Sequence, residues 1–233
     1  MALRGYVWVK AAKRYRRIAT GRYVSRADIL KKLDRSINSR DIRIQGHVVA
    51  AMEGRISPNS FQAMEKLLLK RQALQSMALA VGGWDQMGPR QYGQVGALLR
   101  RQYGQLAALT EDIRNQEVTP AQALNRTHRY MGETRSLALT TERENQAPPR
   151  GGYVRIERRI LDPAAAHCAQ CPEYYAQGWQ LAGTLPTPGQ ACDCDGNCRC
   201  TIQSRDVPAD EVLQYVGRAS KGGSPLASQV GGR

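Results

Sequence analysis

All six cysteines of this 233-residue chain lie between Cys168 and Cys200. They are spaced as Cys168-x2-Cys171, followed after a loop by Cys192-x-Cys194-x3-Cys198-x-Cys200. Two short-spaced groups of this kind can converge on one tetrahedral zinc ion, because a tight C-x2-C turn brings both sulfurs to about 2.3 Å from the metal. The spacing leaves two other uses open: disulfides in a mature extracellular particle, and redox-active or free thiols. The N-terminus offers only the short apolar patch Tyr6–Val9 before Lys10, without a secretory cleavage pattern, so a reducing compartment and a metal are expected first. His167 adds a candidate nitrogen ligand, although adjacent residues rarely both bind one ion. A thioredoxin-like role fits poorly with Pro172-Glu173-Tyr174-Tyr175 after the C-x2-C, where a nucleophilic thiol needs a helix N-terminus.

Composition narrows the remaining classes. The chain has 42% hydrophobic and 23% charged residues, in the globular range. Its single Phe implies a thin core of Leu, Ile, Val, Ala and Met, with some apolar surface left for partners. The longest uncharged run, Tyr174–Cys192, contains Pro186 and Pro188, so no membrane span is expected. Neither a phosphate-binding Gly-rich loop, nor G-x-S-x-G, nor H-E-x-x-H occurs, and no enzymatic activity or small-molecule substrate is expected.

The formal net charge of +14 is concentrated at the N-terminus. No acidic residue precedes Asp28, while Arg4, Lys10, Lys13, Arg14, Arg16, Arg17 and Arg22 are interleaved with Tyr6, Trp8, Tyr15 and Tyr23. Cations of this density neutralise phosphates, and the rings could stack on bases. The same segment also reads as a flexible extension that becomes ordered on an acidic protein surface. Residues 1–24 are therefore expected to be a basic aromatic arm that binds nucleic acid or a protein partner.

Beyond the arm the pattern is helical. Ser25 with Asp28 reads as an N-cap and first turn, and Ile29, Leu30, Leu33 and Ile37 then recur at helical spacing as far as Gly54. Ser57-Pro58 opens a second helix whose face is expected to hold Phe61, Met64, Leu67, Leu68, Leu74 and Met77, closing at Gly82-Gly83. A third helix is expected over Gln91–Arg114, and Thr119-Pro120-Ala121-Gln122 has capping-box spacing for a fourth. Residues 25–147 are thus predicted to form a helical bundle or an array of helical hairpins.

Pro148-Pro149-Arg150-Gly151-Gly152 marks the domain boundary. After it, Val154, Ile156, Arg158 and Ile160 alternate with polar residues as a strand would, Arg158 being a blemish on the apolar face. A second strand is expected over Arg199–Ser204. The predicted fold class is mainly α, with a helical N-terminal region and a small Cys-rich α+β subdomain over residues 148–216. Residues 217–233, rich in Gly and Ser, read as a flexible tail.

The order of motifs in the C-terminal part carries a family resemblance. A strand ends in Arg158-Arg159-Ile160-Leu161-Asp162 and leads to His167-Cys168-Ala169-Gln170-Cys171. Gly178-Trp179 and the loop Gly183-Thr184-Leu185-Pro186-Thr187-Pro188-Gly189 follow, then Asn197-Cys198-Arg199-Cys200-Thr201. This series resembles the C-terminal domain of the head-morphogenesis (minor head protein) family of tailed bacteriophages. Gly82-Gly83-Trp84-Asp85-Gln86-Met87 and Leu99-Arg100-Arg101-Gln102-Tyr103 are similar to its helical part. Many members carry His-Pro-Asn-Cys-Arg-Cys, whereas here Asp195 stands at the histidine position and Cys194 is a candidate replacement. The resulting ligand set is Cys168, Cys171, Cys194, Cys198 and Cys200. The resemblance implies a structural virion protein, assembled in the host cytoplasm and placed in the head or at the portal vertex. It would contact portal or major capsid proteins and packaged DNA, and would act in assembly, genome packaging or delivery. A zinc-stabilised nucleic-acid-binding or regulatory protein is the alternative.

Overall fold

A computed structural model of the chain describes residues 5–190, 192–194 and 198–216. Arg4 and the tail 217–233 lie outside the described residues. The chain divides into two compact units, one running to Ala147 and the other beginning at Pro148.

The first unit opens with a β-hairpin. Strand β1 (Tyr6–Val9) pairs antiparallel with β2 (Arg14–Arg17), placing Trp8 opposite Tyr15. Four helices follow: α1 (Arg26–Met52), α2 (Pro58–Val81), α3 (Pro89–Arg114) and α4 (Pro120–Glu144). Three of them, α1, α2 and α4, start where a hydroxyl cap is available. Ser25 Oγ accepts from the Asp28 amide at 3.1 Å, and Ser57 Oγ accepts from the Ser60 amide at 3.1 Å. Thr119 and Gln122 close a reciprocal box, the Thr119 amide donating to Gln122 Oε1 at 2.9 Å and the Gln122 amide to Thr119 Oγ1 at 3.3 Å. Proline in the first turn of α2, α3 and α4 leaves no amide to satisfy there.

One continuous core joins the four helices, with Ile44, Val48, Phe61, Leu69, Met77, Leu106, Leu109 and Tyr130 at its centre. The pairs α1–α2, α2–α3, α3–α4 and α1–α4 all pack together, and α2 also touches α4. This contact with three neighbours changes the expected face of α2. Met64 and Leu67 are 38% and 49% exposed, whereas Glu65, Gln72 and Ser76 are buried. Ion pairs set the seam between α1 and α4: Arg26 with Glu142 at 2.8 Å, Asp34 with Arg135 at 2.7 Å, and Asp41 with His128 at 2.8 Å. Successive pairs climb α1 and descend α4 by about two turns each, as antiparallel helices require.

The hairpin corrects the expectation of a flexible arm. Tyr15 and Val24 are buried with Ile29, and Tyr6, Trp8 and Leu79 pack around them. Tyr15 donates its hydroxyl to the Leu79 carbonyl at 3.1 Å, and the Trp8 and Tyr15 rings meet edge to face at 5.0 Å. Gly82 caps α2 at φ 107°, and a Cβ there would lie 2.2 Å from the Trp8 ring. The ring occupies space that only glycine leaves.

In the second unit, β3 (Tyr153–Ile160) is the central strand of a three-stranded antiparallel sheet. It is flanked by β4 (Gln180–Leu181) and β5 (Thr201–Pro208). The register runs from Tyr153 opposite Pro208 to Ile160 opposite Thr201. Between β3 and β5 the chain makes a long excursion that holds every cysteine and a short helix, α5 (Gln170–Ala176), packed against β3. A final turn of helix, α6, spans Val212–Tyr215. The fold is therefore mainly α, with a small Cys-rich α+β unit. No helix among the described residues is long and apolar enough to cross a membrane.

Candidate metal centre

The cysteine excursion collapses onto itself. Cys171, Cys198 and Cys200 are buried, with Leu161, Cys168, Cys192 and Cys194 packed against them. No disulfide forms among the six thiols. The sulfur of Cys171 lies 3.6 Å from that of Cys168 and 3.7 Å from those of both Cys194 and Cys198. Metal–sulfur bonds of 2.3 Å at tetrahedral angles put neighbouring sulfurs about 3.8 Å apart, so the cluster already has the edge length of a thiolate-bound ion. Cys168, Cys171, Cys192 and Cys194 present sulfurs that all lie within 4.8 Å of one another, as do the ligand atoms of His167, Cys171 and Cys200. The cluster can hold a metal ion.

Local folding explains the convergence. Cys168 and Cys171 are joined by a turn, the Cys171 amide donating to the Cys168 carbonyl at 3.3 Å. Gln170, between them, reaches across to the second cysteine group. Its Nε2 donates to Asp193 Oδ2 at 2.7 Å, and the Asp193 amide returns a bond to its Oε1 at 3.0 Å. Asp162, just beyond β3, accepts from Arg199 at 2.9 Å, which holds the Cys198–Cys200 segment. His167 is oriented by the same turn, its Nε2 lying 2.9 Å from the Asp162 carbonyl. A carbonyl only accepts, so Nε2 carries the proton and Nδ1 keeps its lone pair. That lone pair lies 3.6 Å from the Cys200 sulfur. Metal-binding histidines are commonly fixed in this way by a bond from the other ring nitrogen.

The electrostatics divide the thiols, with Cys168 and Cys198 lowered and Cys171, Cys192, Cys194 and Cys200 raised. Hydrogen bonding with the Cys200 thiol brings Cys198 down to about 5 despite its burial, and the Arg159 charge adds to the shift. That bond, with burial and the Cys198 charge, pushes Cys200 well above the ordinary thiol range. Burial, followed by the Cys198 charge, does the same to Cys171, and burial takes Cys194 up to about 12. One thiolate is thus held by protonated neighbours, and a bound cation would replace those protons. Arg159 is 1% exposed, donates to the Pro186 carbonyl at 2.6 Å and lies over the Tyr174 ring at 5.2 Å. Its Nε and Nη1 have no hydrogen-bond partner among the described residues, which leaves a buried positive charge beside Cys198.

All five expected ligands, Cys168, Cys171, Cys194, Cys198 and Cys200, fall in this cluster. The structure adds Cys192 and brings in His167, the candidate nitrogen ligand beside the C-x2-C. The repeated C-x-C spacing, Cys192-x-Cys194 and Cys198-x-Cys200, was the sequence signal for Cys192. Arg159 and Gln170 gave no such signal, because a strand arginine and a loop glutamine are ordinary surface residues until the fold buries or bridges them. Strand alternation put Glu157 and Arg159 on the outer face of β3. Both are buried there: Arg159 packs on Tyr174 of α5 and bonds the Pro186 carbonyl, and Glu157 accepts from the Gly183 amide at 3.1 Å.

The basic residues Lys10, Lys13, Arg14, Arg16, Arg17 and Arg22 are all exposed on or beside the hairpin. The rings expected among them mostly point the other way: Trp8 and Tyr15 dock the hairpin, and only Tyr23 is well exposed, with Arg14 over it at 5.1 Å. No protein-family model, curated protein or solved structure matches this chain.

Proposed function

We propose that the chain is a non-enzymatic structural protein of a tailed-phage head, acting in capsid or portal-vertex assembly, and that its C-terminal unit is clamped by zinc. The observation that carries this reading is the convergence of Cys168, Cys194 and Cys198 to within 3.6–3.7 Å of the buried Cys171. The motif order that resembles the minor head family runs through the same residues, from Arg158 to Thr201. Zinc suits the donors, since thiolates and imidazole together favour a borderline-soft ion without geometric preference of its own. A structural role suits the unit, whose apolar core is small: among the described residues, Ile156, Leu185, Ile202 and Val207 are its buried aliphatic side chains. Bound metal supplies the stability that such a core lacks. The helical unit would offer long faces to portal or capsid neighbours.

The test is co-purification with assembled particles. The chain should be present in heads made with the portal protein and lost from heads made without it. Its absence from finished particles would overturn the reading.

The alternative is a zinc-stabilised nucleic-acid-binding protein, favoured by the six exposed cations of the hairpin. Removing residues 2–24 should then weaken DNA retention and flatten its salt dependence, because fewer counterions are released on binding. Equal retention with and without those residues would assign the hairpin to protein contacts.

A further inference from the structure

The seven donors divide in a way that one ion does not explain. Cys168, Cys171, Cys192 and Cys194 bring four sulfurs within 4.8 Å of one another, the number of ligands that one tetrahedral ion takes. His167, Cys171 and Cys200 form a second set. Cys198 lies outside that mutual 4.8 Å set but borders two of its members, being 3.7 Å from Cys171 and hydrogen-bonded to Cys200, and is the one remaining donor for a fourth position. Cys171 is the one residue common to both. We infer that the C-terminal unit binds two divalent ions of the zinc class, bridged by the thiolate of Cys171. Cys168, Cys192 and Cys194 complete the shell of the first ion, and His167, Cys198 and Cys200 that of the second.

The division is self-consistent in two respects and agrees with one observed distance. Seven donors with one shared make two four-coordinate shells with no ligand left over. His167 and Cys168, adjacent in the chain, bind different ions, which avoids the crowding of neighbours on one metal. The distance of 3.6 Å from His167 Nδ1 to Cys200 Sγ also matches the nitrogen–sulfur edge of about 3.6 Å that bonds of 2.0–2.1 and 2.3 Å produce. Two divalent ions do not balance six thiolates, so the cluster stays anionic. Arg159, buried beside Cys198 with two nitrogens lacking a partner among the described residues, is placed to offset that charge.

This inference rests on the metal reading above, and metal stoichiometry separates the two. Elemental analysis and native mass spectrometry of the full chain, prepared with zinc under reducing conditions, should find two ions per chain. One ion overturns the bridged pair and leaves the single-ion site standing; none overturns both. Replacing zinc with cadmium should give two cadmium NMR signals of equal area, coupled through the shared sulfur. Two uncoupled signals would remove the bridge. His167→Ala should chiefly alter one signal and Cys192→Ser the other, whereas an effect of both on the same signal would refute the division. The cadmium spectrum of the unaltered chain decides the bridge even if a variant fails to fold.

Discussion

Gly82 shows how much one residue can decide. Its positive φ ends α2, and its missing side chain leaves room for the Trp8 ring. Gly82→Ala should undock the hairpin at a cost of about 1–3 kcal/mol, from backbone strain and steric overlap together. Tryptophan emission should shift to the red relative to a Trp8→Phe control, and proteases should cut near residues 5–24 while helical content is kept. Glu65 is the second such residue. It is 1% exposed and lies 2.6 Å from His47, and burial raises its carboxyl from 4.5 to about 7 even though the histidine contact lowers it. The folded state then holds a proton that the unfolded state releases. The associated stability is complete below about 4.5 and is lost as pH rises through about 7. Denaturation of the helical unit at pH 5 and pH 8 should show this loss in the parent chain and a flatter profile in Glu65→Gln.

At the scale of elements, the helices of the first unit were legible because their ends are chemical. Ser25, Ser57-Pro58 and Thr119-Pro120 cap where expected, and Gly82 stops α2. Their facing was less legible. A helix packed against one neighbour displays a single apolar stripe, but α2 touches three, and its buried Glu65 and Gln72 look like surface residues in the sequence. The hairpin was hidden for a related reason: cations outnumber apolar residues on β2, and the inward Tyr15 is legible only once Leu79 is known to receive it. The second long strand was expected from Arg199 but begins at Thr201 and continues to Pro208, because pairing with the full length of β3 sets its extent. The Arg158 blemish is also explained by its neighbours, since it lies over the Trp179 ring at 4.8 Å, with Arg205 over the same ring at 4.3 Å. The α1–α4 seam supports a prediction at this scale. Asp34→Ala removes a carboxylate from Arg135, whose side chain is only 10% exposed, and should cost about 1–3 kcal/mol in chemical denaturation. Removing Glu144 from the exposed Arg90 should cost less than about 1 kcal/mol.

For the whole molecule, the two units differ in what stabilises them. The helical unit has a continuous apolar core, whereas the C-terminal unit gathers its excursion around sulfur. A strong chelator should therefore release the excursion alone. Limited proteolysis should open sites between residues 161 and 200 while the helical circular dichroism changes little, and added zinc should restore resistance. Unchanged resistance in chelator would mean that packing without metal suffices. The cluster as a group was legible from the cysteine spacing, but its division was not, since the partition depends on where His167 and Cys192 fall in space.

The register at the end of the sheet bears on how the cluster assembles. Ile160 is paired opposite Thr201, immediately next to Cys200. Zipping β3 onto β5 closes the excursion with or without a cation, and loop entropy is lost at that step. Ion capture then becomes a search within a tethered ring rather than a meeting of distant chain segments. Loading should be fast once the sheet has formed and slow in any variant that frays this end of the ladder.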